Sequence, residues 1–489
     1  MGLLVFFGLI FGGEVKIAAA KAYPWMQIPR QDLQVITSAW VEQDIRLEMV
    51  RQAKKTIDIV IFDQRIDFEV AYPLLKVLRD AADRGVKVRF MASWFPQVAT
   101  DFMRLAPRYL VDSPPRVPIE FVTFGGPSMK KEWAFEDGVH EKLFIVDGKW
   151  TLTTGRGHAI NYMNWIDTAF LLRGALVAQT LTVYNEVWKL VRQEADLYKA
   201  PPNGYSEERL EIDRKIAKQS PGKRTPAEAA RLLELKDWLA QTPSPGVLTS
   251  VGSPSSATPT RGGPVKPNAK ASPSPTLRIR MIHHDFLAQM LKLSMPPAEY
   301  DYQERLKLIK DPVVAAVKEK IPKTSQLAMN SLSVILHPEI KQLLLKSILK
   351  GMWASVFTNS KETFKTVALV PFPWPVVLPD LDDLLLHGAD VYIYKVDAKT
   401  PPGQYLHRKV LIMDNTVFFG SHNYNIPSTV ANDEVSFEVE DAEFAARMRG
   451  LFEESVASHG QLLDPAAVHR ERNSTEVLRW LFTPLLGFF

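Results

Sequence analysis

The chain has 489 residues, 46% of them hydrophobic, which is more than one typical core requires, so two packed domains or one bilobed unit are expected. Its 59 basic and 55 acidic residues leave a formal charge of +4, too small to argue for a nucleic-acid coat. With no cysteine in the chain, disulfides, thiolate metal sites and a cysteine nucleophile are excluded.

At the N-terminus, residues 3–11 form an apolar run, and Ala18-Ala19-Ala20-Lys21-Ala22 offers small residues spaced for cleavage before Tyr23. Residues 1–22 therefore read as an export signal. The run falls short of the roughly 20 residues that span a bilayer. A periplasmic or secreted, membrane-associated protein is expected.

A weak internal repeat organises the rest. In the first half, residues 23–195, a strand at 57–62 precedes a helical pattern over about 69–84, then Gly85 in a C-cap position and a strand at 86–91. Strand 119–124 comes before His140-Glu141-Lys142. An insert follows over 196–280. In it, Thr225-Pro226-Ala227-Glu228 supplies an N-cap, an N1 proline and a capping-box glutamate for a helix through Trp238. Residues 242–276, rich in Pro, Ser, Thr and Gly, cannot bury enough surface to fold and read as a disordered linker.

The second half, residues 281–470, repeats the order: strand 327–336, helix 338–350, Gly351, strand 352–358 and strand 391–394, before His407-Arg408-Lys409. An apolar tail, 471–489, closes the chain. Alternating strands and helices in both halves predict an α/β fold of two similar sandwich halves, each a mixed or parallel sheet flanked by helices, facing each other.

The repeated feature with chemical content is His-x-Lys followed by Asp: His140/Lys142/Asp147 and His407/Lys409/Asp414. Residues two apart on an extended chain share a face, so each imidazole lies beside a cation at a strand end. Asp147-Gly148 and Asp414-Asn415 are tight-turn dipeptides between apolar strands, so these two Asp residues read as structural turn residues first. An acid stands 27 positions after each His: Asp167 and Glu434. A carboxylate on one ring nitrogen fixes the tautomer and frees the other to attack or carry a proton. Ser421 and Asn423 in the second half, and Thr154 at the position equivalent to Ser421, are candidate phosphate-binding groups. Arg156 stands where the second half has Asn423.

These parts suit double displacement at a phosphodiester. One His attacks phosphorus, the other protonates the leaving alkoxide, and the Lys residues stabilise the anionic oxygens. The scheme calls for no cofactor and no metal.

The doubled motif resembles that of the phospholipase D superfamily, closest to the bacterial cardiolipin synthases. The likeness extends to residues 81–88, 357–360, 387–391, 420–423 and 432–434. It implies one active site at the interface of the halves, with His140 as nucleophile and His407 as acid. The residues themselves leave that order open. It also implies a phospholipid substrate such as phosphatidylglycerol and a phosphatidyl transferase. A hydrolase releasing phosphatidic acid and a nuclease are the enzymatic alternatives. One departure is Thr154-Gly155-Arg156-Gly157, where cardiolipin synthases usually have Gly-Gly-Arg-Asn; a scaffolding protein with a degraded first site is the non-enzyme alternative that it raises.

His283-His284, with only Asp285 close in sequence, reads as a surface or packing pair rather than a metal site. His158 and His422 read as site-lining. The Pro-rich stretch 370–378 reads as a packed connection, and the tail over 478–489 as a peripheral membrane contact. Oligomeric state is left open.

Overall fold

The computed structural model describes residues 21–482 except 63–64, 95–101, 112–115, 126–128, 135–136, 200–205, 220–221, 242–275, 294–295, 364–373, 398–399 and 401–402. The export signal through residue 20, nearly all of the linker and the tail from residue 483 lie outside the described residues.

Two sheets carry the repeat. The first runs Leu33–Ile36, Ala169–Arg173, Trp150–Thr154, Leu143–Val146, Thr56–Ile61, Lys87–Ser93, Glu120–Phe124. Its last three strands are parallel and the others antiparallel. The second repeats this order with Thr276–His284, Asn432–Glu440, Thr416–Gly420, Val410–Met413, Gln326–Asn330, Trp353–Thr358 and Asp390–Tyr394, and with the same change of direction. The halves are thus the same mixed α/β unit used twice.

Strand alternation divides the interior into three layers. Phe170, Leu172, Leu143 and Ile145 from the first sheet join Val435, Phe437, Val410 and Ile412 from the second in one central core. Their neighbours Leu171, Phe144 and Val146 face an outer core of the first half, and Leu411 and Met413 face one of the second. Phe170 stacks on Phe419 at 3.8 Å across the seam. Apolar residues on both faces explain why the motif strands read as unbroken hydrophobic runs.

The helix over Ala71–Asp83 ends as expected at Gly85, whose φ of +99° completes a left-handed cap with Val86 N–H donating to Ala81 O. Gly351 does the same after Pro338–Leu349. The Thr225 capping box forms, and its helix, Pro226–Ala240, lays Leu235, Trp238 and Leu239 into the first half's outer core. From Trp374 on, the Pro-rich stretch is the start of a buried helix, Trp374–Leu386.

Two boundaries differ from expectation. The strand predicted over 327–336 stops at Asn330, because Ser331 turns the chain by donating to Ser333 O and Asn423 O. The segments Lys21–Ala22 and Met26–Pro29, assigned by sequence to the signal and first half, pair with Thr276–His284 of the second sheet. No helix among the described residues is long and apolar enough to cross a membrane.

Candidate active site

Each motif His sits just before a central strand, on a segment held by the opposite half. Gly138–Val139 pairs in parallel with Asn432–Asp433, and His140 N–H donates to Asp433 O at 3.0 Å. In the mirror-image contact, His407 N–H donates to Ile166 O at 2.9 Å. Each His is therefore tied to the residue immediately before the other half's acid.

The side chains follow. His140 Nδ1 donates to Glu434 Oε1 at 2.8 Å, and His407 Nδ1 to Asp167 Oδ2 at 3.0 Å. The structure brings the six candidate catalytic residues together, and the acids serve the histidines crosswise. Lys142 Nζ donates back to His140 O at 3.1 Å, and Lys409 Nζ to His407 O at 3.2 Å. Lys409 Nζ also lies 3.0 Å from both ring nitrogens of His407. Phe62 packs edge-on against His140 at 4.4 Å, and Trp165 against His407 at 4.6 Å.

Burial governs the charges. It lowers His140 to about 4, with Lys142 and Lys409 adding to it and Glu434 opposing. His407 is held well below the usual range by burial and then by Lys409, Lys142 and His140. Both rings are neutral, as a nucleophile or base requires. Burial pushes Glu434 upward, but His140 and its hydrogen bond, with His422 and Lys142, outweigh it and hold the carboxylate at about 2. Asp167 is raised, chiefly by burial, against Lys409 and Arg156. Burial, reinforced by Lys142, brings Lys409 down to about 7 against the pull of Asp167 and Glu434.

The predicted phosphate-binding groups separate. Ser421 is a correction: its hydroxyl donates to Glu434 Oε2 and accepts Val435 N–H at 3.0 Å, so it anchors the acid. A hydroxyl so close to an ionised carboxylate finds its partner inside the protein. Thr154 Oγ1 accepts Arg156 N–H at 3.1 Å and lines a small cavity with Lys142, Arg46 and His158. Asn423 keeps its side-chain oxygen buried with no partner among the described residues.

Asp147 and Asp414 sit in left-handed turns with φ of 54° and 47°. Asp147 accepts N–H groups of Lys54, Lys55 and Thr56, and Asp414 those of Ser325 and Gln326, all in the strand entries of their own halves.

Arg156 fills its place with buried contacts. It pairs with Glu42 and donates to Thr37 O, Trp165 O and Asp167 O. Gly155, unremarked in sequence, matters because a Cβ there would meet Asp167 Oδ1 at 2.8 Å. Trp165, two positions before Asp167, was equally unremarked. His422 donates to Asp311 at 2.8 Å, accepts Tyr424 N–H, and its charge helps keep Glu434 ionised. His158 accepts from Arg46 at 2.9 Å beside the small cavity.

Fold and site geometry define a duplicated α/β protein with one candidate catalytic centre across its pseudo-twofold seam. Residues 320–456 match the family described as "Cardiolipin synthase, PLD-like domain". The phosphatidylserine synthase of Haemophilus influenzae Rd KW20 has a similar structure (TM-score 0.59, 13% identity, 94% of this chain and 96% of that one). Nuc, a phospholipase D family member from Salmonella typhimurium, aligns over 31% of this chain and 90% of its own, with 16% identity and a TM-score of 0.25. No curated protein matches the sequence. The family match thus lies within the second half, and the likeness to the phosphatidylserine synthase is one of fold.

Proposed function

We propose that this enzyme is a phosphatidyltransferase acting through a phosphohistidine, with phosphatidylglycerol as donor and a second lipid alcohol as acceptor, as in a cardiolipin synthase. The observation that carries the reading is the crosswise pairing of His140 with Glu434 and His407 with Asp167. It leaves two Nε2 atoms, from different halves, available for one substrate.

In the proposed cycle, His140 Nε2 attacks phosphorus while the bond to the glycerol oxygen breaks and protonated His407 gives that oxygen its proton. A lipid hydroxyl then loses its proton to His407 and attacks phosphorus, and the N–P bond breaks. Ionised Glu434, backed by Ser421, suits His140 to the role that gains positive charge. Lys142, Lys409 and Asn423 are proposed to hold the anionic oxygens, whose negative charge raises the proton affinity of His407 when substrate binds. Export and peripheral membrane contact belong to the same proposal, supported by the N-terminal pattern and by exposed Val477 and Leu478 leading into the apolar tail.

The test is incubation with phosphatidylglycerol and product analysis by mass spectrometry, alongside His140→Asn and His407→Asn. Cardiolipin plus glycerol supports the proposal, and a covalent phosphatidyl group on His140 fixes the order of the two histidines. Phosphatidic acid alone makes water the acceptor and overturns the transferase reading. No turnover by the folded wild type overturns the substrate class.

A further inference from the structure

Alternation along the chain sends Glu141 to the opposite side from His140 and Lys142, and Asp433 to the opposite side from Glu434. Behind the catalytic strands these two carboxylates meet His283. In the Thr276–His284 ladder, His283 is paired with Val435, which shares the face of Asp433. One donor atom from each of Glu141, His283 and Asp433 lies within 4.8 Å of the others. His283 Nε2 is 3.4 Å from Glu141 Oε1.

The hydrogen bonding of this group is incomplete in a way the rest of the site is not. Glu434, Asp167 and Asp311 are as deeply buried, and each accepts bonds from named donors. Glu141 is fully buried, yet both its oxygens lack a hydrogen-bond partner among the described residues, and so do His283 Nε2 and Asp433 Oδ2. Asp433 Oδ1 is satisfied by Leu287 N–H at 2.6 Å. The 3.4 Å ion pair of His283 with Glu141 offsets part of the desolvation of these groups, and a positive charge among the three converging donors would offset more of it.

We propose that Glu141, His283 and Asp433 form a binding site for one divalent transition-metal ion of the zinc class, at the seam between the two halves. Two carboxylates and one imidazole are a donor set that suits zinc or manganese better than calcium or magnesium. The 3.4 Å contact between His283 and Glu141 matches the edge, ~3.4 Å, of a tetrahedron with bonds of ~2.1 Å. The third donor, within 4.8 Å of the other two, closes on the ion by up to about 1.4 Å to reach the same edge. Such an ion would sit outside the reaction. It would clamp the segments that carry His140 and Glu434, so its part is positioning. Sequence alone set His283 aside as packing because its partners stand about 140 and 150 positions away in the chain.

The test uses the full chain without a histidine tag, purified without chelator. Elemental analysis should find about one equivalent of zinc, retained through desalting. Removing it with EDTA should lower the melting midpoint by several degrees, and one equivalent of Zn2+ should restore it. Co2+ in its place should give the visible absorption of a nitrogen and oxygen ligand set. Glu141→Gln, His283→Gln and Asp433→Asn should each weaken Zn2+ uptake at least tenfold. Should any of them fail to fold, the cobalt spectrum and zinc content of the wild type decide. Folded wild type that retains none of Zn2+, Mn2+ or Co2+ overturns the proposal, as does stoichiometric uptake unchanged in the folded variants.

Discussion

Gly155→Ala isolates the orienting acid without touching an ionisable group. The added Cβ would run into Asp167 Oδ2, the oxygen bonded to His407, and stand 2.8 Å from Oδ1 and 2.9 Å from Cγ, where ordinary contact needs about 3.5 Å. The neighbours of Asp167 resist adjustment: its backbone oxygen is held by Arg156 and its Oδ1 by Thr168 N–H at 2.7 Å. The carboxylate must therefore retreat by roughly 1 Å, which stretches the 3.0 Å bond to His407 beyond hydrogen-bond range. Misplacement on this scale costs about 10²-fold in turnover, or about 2.7 kcal/mol of barrier. The overpacking itself should cost about 1–3 kcal/mol of stability, read separately by urea unfolding. The assay is kcat for glycerol release from phosphatidylglycerol, with Asp167→Asn as the companion. Folded Gly155→Ala with kcat within about threefold of wild type would refute the reasoning, because the crosswise acid would then not be needed where the geometry puts it.

Ser421→Ala removes the hydroxyl that donates to Glu434 and accepts Val435 N–H, so activity should fall about tenfold with a stability loss of about 1–2 kcal/mol; unchanged kcat would return Ser421 to the role of a bystander. Asp147→Ala and Asp414→Ala each strip an anchor from two or three backbone N–H groups and should lower stability by about 1–3 kcal/mol while kcat per folded molecule holds. Lys409, brought to about 7 chiefly by burial, is charged below that pH and neutral above it, so kcat/KM should fall as pH rises through about 7. Bound phosphodiester favours the charged lysine, which should move the limb in kcat to higher pH, and Lys409→Arg should abolish both limbs. Arg156→Asn, which copies the residue of the second half, leaves Glu42 with one buried partner, Arg46, and should cost about 3–5 kcal/mol by denaturant titration.

The duplication was legible in the chain because each level repeats locally: a helix stopped by Gly85 or Gly351, a strand, then His-x-Lys before an apolar run. The turn role of Asp147 and Asp414 was legible for the same reason, since a left-handed Asp at a hairpin declares itself through its immediate neighbours. The crossing was not. An acid 27 positions after each His fits service to its own His and to the opposite one equally well, and only the pairing of Gly138–Val139 with Asn432–Asp433 decides between them. Ser421 misled for a related reason, because a hydroxyl beside a catalytic strand looks the same whether it faces a ligand or a carboxylate 13 positions on. Arg156 shows what the difference between the two halves at this position means physically. An arginine with a buried glutamate and three backbone oxygens for partners is well placed to hold the Trp165-to-Asp167 segment in register, and that segment carries the acid for His407. The first half has exchanged an amide for a brace, and the site it braces keeps both histidines, both lysines and both acids in contact.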